Sequence, residues 1–84
     1  PLVDRGATLL DVRTPSEYES GHIEGAVNIP VDDLEARIGE VPEGEPVVVY
    51  CRSGGRSARA ATALRAHGFE VHDLGAMSNW DAHE

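Results

Sequence analysis

The chain has 84 residues, a formal net charge of −8 at pH 7 and one cysteine. This length permits one small domain with a single thin core, and no apolar run of about 18 residues is present that would cross a membrane. The acidic balance disfavours nucleic acid and anionic membrane surfaces as partners. A single cysteine rules out an internal disulfide and a two-cysteine redox pair, so any group bound to the thiol must leave to an outside acceptor.

All seven basic residues are arginines. Because lysine is absent, the chain has neither a P-loop lysine nor a Schiff-base nucleophile. Arg52, Arg56 and Arg59 lie within eight residues after Cys51, which predicts an electropositive site around the thiol. Alternatively, Arg59 and Arg65 only solvate a helix face.

Signals for targeting and for metal binding are weak. The sequence has no basic-then-apolar start, which favours a cytoplasmic location unless a leader has been removed. The four histidines lack the spacing of metal ligands: His22, His67, His72 and His83. No metal and no other cofactor is therefore predicted.

The first third of the chain predicts two short strands and a short helix between them. Residues 8–12 are apolar with one acid near the end, as in a buried strand. The helix begins after Thr14, which with Glu17 has the spacing of a capping box, and it ends at Gly21. Residues 26–29 form the second strand.

The middle of the chain predicts a helix and a buried strand. Residues 31–38 are a candidate helix, because one of two adjacent aspartates can cap it and Leu34 and Ile38 lie one turn apart. Residues 47–50 are an uninterrupted apolar run, which is typical of a strand covered on both faces in a parallel sheet.

Residues 56–67 predict the one long helix. Ala58, Ala61 and Leu64 would form its inner face, and the small alanines would let it lie close to the sheet. Gly68 ends it.

Residues 70–74 alternate in polarity and predict a last strand. Gly75 would then turn the chain, and residues 77–81 would form a helical turn that holds Trp80 in the core. Strands that alternate with helices indicate an α/β fold: a small three-layer domain whose mainly parallel sheet of four to five strands is flanked by helices. Residues 1–84 are expected to form this single domain.

Cys51 follows the most apolar strand, at the sheet edge where ligands bind in such folds. A loop with Gly54 and Gly55 comes next, and then a helix start whose dipole lowers the pKa of a nearby thiol. Ser53 and Ser57 can donate hydroxyl hydrogen bonds, although Ser57 can also simply cap the helix. A lone cysteine is more often a small buried apolar residue, but this context favours a nucleophilic thiolate in a cradle of amides.

The number of residues between Cys51 and Arg56 limits which group the loop can hold. Four residues separate them, one fewer than in the loop with which cysteine phosphatases surround a tetrahedral phosphate. The tighter loop is predicted to fit the second sulfur of a persulfide, which its amides would hold as an oxyanion hole holds oxygen. Arg56 can pair with the oxygens of an incoming sulfonate.

Several segments together resemble the rhodanese family over nearly the whole chain. The two most specific are Gly-His-Ile-Glu-Gly-Ala-Val-Asn-Ile-Pro at residues 21–30 and Cys-Arg-Ser-Gly-Gly-Arg-Ser at residues 51–57. Asp-Val-Arg at residues 11–13, Glu-Tyr at residues 17–18 and Leu74-Gly75 with Trp80 also resemble family motifs. The resemblance implies a rhodanese-like fold and a thiosulfate sulfurtransferase, in which sulfane sulfur passes to a cysteine persulfide and then to cyanide or a thiol.

The resemblance also implies roles for single residues. Cys51 would be the nucleophile and persulfide carrier. The residues predicted to bind the donor are those of the loop and the first helical turn: Arg52, Ser53, Gly54, Gly55, Arg56 and Ser57. Asp11 and Arg13 would brace this loop and pair with Glu17, and a purely structural ion pair and cap is the alternative. The opening strand that often precedes Asp11 in the family is expected to be truncated.

Two other functions remain as alternatives. One is a sulfur relay, in which the domain carries persulfide sulfur to a protein partner and reacts poorly with thiosulfate. The other is a relative of the cysteine phosphatases or arsenate reductases, which the short loop and the lack of a second cysteine argue against. The expected partners are a small-molecule sulfur donor, a thiol or cyanide acceptor and, in the relay, an acceptor protein.

Overall fold

The computed structural model describes residues 7–77, which fold around a four-stranded parallel sheet. The strands are β1 (Thr8–Asp11), β2 (Val27–Asn28), β3 (Val47–Cys51) and β4 (Val71–Ala76), in the order β2-β1-β3-β4. The two α-helices are α1 (Pro15–Ser20) and α2 (Gly55–Ala66). The predicted α/β class and parallel sheet are confirmed.

Alternate side chains of the central strands enter two separate apolar clusters, so the sheet is the middle of three layers. On one face, Leu10 and Val49 share a cluster with Leu64 of α2. On the other face, Val48 belongs to a cluster that Tyr18 of α1 packs against. All five residues of β3 are buried, as the uninterrupted apolar run predicts.

The helix α1 begins with the predicted capping box. Thr14 Oγ1 accepts a hydrogen bond from the Glu17 amide at 3.2 Å, and Glu17 Oε1 accepts one from the Thr14 amide at 3.0 Å. The Tyr18 hydroxyl donates to the carbonyl oxygen of Ala26 over 2.6 Å. No residue of α1 is fully buried, so this cap and the tyrosine tether hold the short helix and fix the Glu17 side chain.

The prediction of a helix at residues 31–38 is wrong. The segment forms two 3₁₀ turns, Val31–Asp33 and Ile38–Glu40. Their backbone hydrogen bonds join residues three apart, such as the Leu34 amide to the Val31 carbonyl oxygen at 3.3 Å. A helix of this length does not recover its nucleation cost by itself. The chain instead follows the path that buries Leu34 completely in the core.

The helix α2 starts one residue earlier than predicted, and Ala61 and Leu64 lie on its inner face as predicted. Its buried residues are Ser57, Ala60, Ala61 and Leu64. Ala58, which was predicted to face inward, is exposed. The buried Ser57 hydroxyl donates to the Gly54 carbonyl oxygen at 3.0 Å. Ser57, in the first turn of the helix, is thus part of its buried face.

The last strand continues two residues beyond the predicted end at residue 74. Its register with β3 shifts before Gly75, whose φ is +81°. The glycine that was predicted to turn the chain after the strand therefore lies inside it, at an irregularity. The predicted turn at residues 77–81, with Trp80, lies outside the described residues beyond Met77.

Candidate functional site

The loop after β3 places the cysteine between a strand end and a helix start, as predicted. β3 ends at Cys51, residues 52–54 form a tight turn, and α2 begins at Gly55. Gly54 is the N-cap of α2 with a φ of +104°, a conformation that strains residues with a Cβ atom. The alternative that Ser57 caps the helix is wrong, because Ser57 lies in the first turn and Gly54 takes the cap position.

The Cys51 thiol lies under this turn. The Gly54 amide donates to Cys51 Sγ at 2.9 Å, and the residue has no exposed surface. Burial raises the pKa of the Cys51 thiol. The nearby amide and hydroxyl of Ser57 and the amides of Gly54 and Ser53 favour the charged form, outweigh the effect of burial and leave the pKa below its ordinary value of 9.0. The lowered pKa raises the fraction of Cys51 that is thiolate, which is the nucleophilic form of cysteine.

The Arg56 guanidinium is paired with a carboxylate from the other side of the loop. Its Nη1 and Nη2 donate to Glu17 Oε1 and Oε2 at 2.6 and 3.0 Å. The hydrogen bonds from Arg56, and next the one from the Thr14 amide, lower the pKa of Glu17 to about 2. The pairing with Glu17 raises the pKa of Arg56. This ion pair joins the cap of α1 to the first turn of α2.

Arg52 differs from Arg56 in having no such partner. It is exposed, and within residues 7–77 no hydrogen bond or ion pair holds its side chain. Ser53, also exposed, contributes its amide to the thiolate. Arg52 therefore offers an unpaired positive charge on the solvent side of the loop.

A buried polar network lies at the adjacent ends of β1 and β3, where Tyr50 packs on the face of the sheet opposite Cys51. Asp11 has no exposed surface and accepts two hydrogen bonds from Nε of Arg13, at 3.0 and 3.1 Å, and one from its Nη2 at 2.6 Å. The Tyr50 hydroxyl donates to Asp11 Oδ2 at 2.8 Å and accepts from the Ile23 amide at 3.1 Å. Arg13 Nη2 also donates to the Gly21 carbonyl oxygen at 2.7 Å. The network joins β1, β3 and the connection after α1.

This network corrects one expectation and adds one residue. Arg13 was expected to pair with Glu17, but its Nε and Nη2 donate to Asp11 and to the Gly21 carbonyl oxygen, and Glu17 pairs with Arg56 instead. Sequence reasoning did not select Tyr50. Its signal was a tyrosine hydroxyl inside an otherwise aliphatic buried strand, directly before the cysteine, where it needs a partner.

Three further observations concern features outside the loop. His22 stacks on Tyr18 at 3.7 Å between ring centroids, and its Nδ1 lies 2.9 Å from the Tyr18 carbonyl oxygen. Over residues 7–77, no group of three or more potential ligands is placed to hold a metal ion. In the same range, no helix is long and apolar enough to cross a membrane.

The comparison with known families decides the assignment. The family model of the rhodanese-like domain matches residues 2–83 of the chain. The chain belongs to the rhodanese-like family. Relatives of this rhodanese-like domain include thiosulfate sulfurtransferase PspE of Escherichia coli (strain K12), 36% identical over 73 residues, which cover 83% of the chain and 70% of PspE.

Two more likenesses support the same family. Putative sulfur carrier protein YrkF of Bacillus subtilis (strain 168) is 37% identical over 79 residues, 92% of the chain and 43% of YrkF. A solved structure titled "rhodanese with anions from E. coli" superposes with a TM-score of 0.80 at 34% identity, covering 87% of this chain and 89% of that one. The rhodanese-like chain spans 62% of one curated relative and 43% of YrkF.

Proposed function

We propose that the protein is a sulfurtransferase that moves sulfane sulfur from thiosulfate through a persulfide of Cys51. The Cys51 thiolate attacks the outer sulfur of thiosulfate, the bond between the two sulfurs of thiosulfate breaks, and sulfite leaves with the electron pair of that bond. Cyanide then attacks the outer sulfur of the persulfide and gives thiocyanate and the free thiolate. A thiolate acceptor would take the sulfur in the same way and become a persulfide.

The observation that carries this proposal is the state of the cysteine. Cys51 Sγ accepts a hydrogen bond from the Gly54 amide at 2.9 Å, and the surrounding donors lower the thiol pKa. A persulfide is also an anion, so donors that stabilise the thiolate would stabilise the loaded form as well.

The loop residues have separate roles in the proposal. The amides that follow Cys51 cradle the sulfur, with Ser57 beneath them. Arg52 and Arg56 meet the sulfonate end of the donor, Arg52 with its whole guanidinium and Arg56 with the N–H groups that Glu17 does not use. Asp11 and Arg13 hold together the ends of β1 and β3, the strand that leads into the loop, and do not touch the donor.

A sulfur relay is the second candidate function. The likeness to a putative sulfur carrier protein favours it. In a relay, a partner protein would load Cys51 and another would unload it, and thiosulfate would be a poor donor. We propose further that residues 1–84 act as one rhodanese-like domain in the cytoplasm.

Intact-mass measurement after incubation with thiosulfate tests the main proposal. We expect the mass to rise by about one sulfur atom, cyanide to remove it, and Cys51→Ser to abolish the gain. Cys51→Ser keeps a hydroxyl in place of the thiol, so a circular dichroism spectrum like that of the wild type would show that the variant folds. Loading from a persulfide donor but not from thiosulfate would favour the relay, and no loading from either would refute the sulfurtransferase.

A further inference from the structure

Glu17 lies on α1, outside the loop, yet it holds the side chain of a loop residue. Its carboxylate accepts hydrogen bonds from both amino groups of Arg56 and from the amide and the hydroxyl of Thr14. The capping box therefore fixes the carboxylate, and the carboxylate fixes the guanidinium. The Arg56 and Glu17 side chains are 30% and 27% exposed, so an incoming ligand can reach the pair.

The ion pair changes the charge that an anion meets at the site. Without Glu17, the loop would present two guanidinium groups, those of Arg52 and Arg56. With Glu17 in place, the Arg56 charge is offset by a carboxylate that stays ionised at neutral pH, because its pKa is about 2. Arg56 also lies within electrostatic range of Cys51: after the pairing with Glu17, the Cys51 thiolate contributes to the raised pKa of Arg56.

We propose that Glu17 determines which sulfur donors the site prefers by their charge, acting through Arg56. The inference rests on the proposed function. Glu17 neutralises part of the positive charge at the mouth of the loop and repels anions, so it disfavours doubly charged donors relative to singly charged ones. Glu17 is thus a positioning and specificity-determining residue, and it takes no part in bond making.

Two donors of matched chemistry separate charge from reactivity. Thiosulfate carries two negative charges at neutral pH. Methanethiosulfonate carries one, because a methyl group replaces one oxygen. Each transfers its outer sulfur to the Cys51 thiolate, and the leaving groups are sulfite and methanesulfinate, respectively, each taking the electron pair of the broken sulfur–sulfur bond.

The test is steady-state kinetics of Glu17→Gln with both donors. Glutamine also fits the third position of a capping box, so the variant keeps α1 while it removes the charge and one of the two acceptors for Arg56. We expect KM for thiosulfate to fall about fivefold and KM for methanethiosulfonate about twofold, with kcat nearly unchanged. The difference should shrink with added salt, because screening weakens charge effects at exposed groups.

Glu40→Gln is the matched control. It removes one negative charge and an Arg–Glu pair of similar geometry, with Arg37 donating to Glu40 at 2.9 Å twice, in a turn outside the loop. We expect its KM values to equal those of the wild type.

Failure of this inference can be told apart from failure of the proposed function. If Glu17→Gln is loaded by thiosulfate but shows the wild-type ratio of the two KM values, charge selection by Glu17 is refuted and the sulfurtransferase stands. If kcat falls equally with both donors at every salt concentration, Glu17 only supports the structure, and the inference is wrong. If neither donor loads the wild type, the proposed function itself fails.

Discussion

The amide of Gly54 points at Cys51 Sγ, 2.9 Å away, from a backbone conformation with a φ of +104°. The added Cβ of Gly54→Ala would meet only ordinary contact, with Gly75 Cα at 3.9 Å, so the cost is in the backbone torsion. When the backbone relaxes, the amide turns away from the sulfur. We therefore expect the pKa of the thiol to rise in this variant.

A titration of the thiolate by ultraviolet absorbance checks this prediction, together with the pH dependence of persulfide loading. Both curves should move to higher pH in Gly54→Ala, because the thiolate loses a donor. Gly44→Ala is the control, since Gly44 has a φ of +83° and open space around it. It should lose about 1 kcal/mol of stability and keep the wild-type thiol pKa.

Removal of the Arg56 side chain should weaken donor binding. For Arg56→Ala we expect a loss on the order of 2 kcal/mol in kcat/KM for thiosulfate, since a charge-assisted contact disappears and the Glu17 carboxylate is left to repel the anion. Arg59→Ala serves as the control. Arg59 and Asp32 form an ion pair at 3.2 Å in which both side chains are exposed, so its loss should have little effect. Unchanged thiosulfate kinetics in Arg56→Ala would remove the anchoring role from Arg56.

The buried polar network at the ends of β1 and β3 should contribute strongly to stability. In Asp11→Asn, the Arg13 guanidinium stays buried without its counter-charge, and we expect the free energy of unfolding to fall by about 3 to 5 kcal/mol. In Tyr50→Phe, the Ile23 amide loses its acceptor, and we expect a loss of about 1 to 3 kcal/mol. Urea denaturation measures both. A change under 1 kcal/mol for Asp11→Asn would contradict the role of this pair.

The ion pair between Glu17 and Arg56 should make the stability difference between the wild type and Glu17→Gln depend on pH. The pKa of Glu17 is lowered from 4.5 to about 2 in the folded protein. The carboxylate therefore stabilises the fold fully above about pH 4.5, and this contribution disappears as the pH falls through about 2. The stabilities of wild type and Glu17→Gln should converge over that range. An NMR titration of the Glu17 carboxyl carbon with a midpoint near its ordinary value would show that the pair does not persist in solution.

Local sequence patterns were sufficient to predict the framework of the site. The apolar run of β3, the cysteine at its end and the glycines after it fixed a strand, a tight turn and a helix start in one order, with little room for alternatives. The capping box of α1 was equally local, because Thr14 and Glu17 lie three residues apart. In such segments the backbone preferences and the burial pattern agree.

Contacts between distant segments could not be predicted in the same way. Glu17 was expected to pair with Arg13, and only the folded geometry shows that Arg13 pairs with Asp11 and Arg56 with Glu17. The helix expected at residues 31–38 does not form; the segment instead makes 3₁₀ turns in which Leu34 is buried and Val31 and Ile38 pack against the core. Both outcomes depend on packing across the molecule, which outweighs weak local preference.

The complete burial of Cys51 has a consequence for how the sulfur survives in an aerobic environment. A thiolate is the form that peroxides oxidise, but oxidation also needs access to the atom. Since Cys51 has no exposed surface, oxidants and alkylating reagents, like the sulfur donor itself, reach the sulfur only when neighbouring atoms move apart. Access to the sulfur, together with its thiolate character, then sets how fast the protein is inactivated during storage.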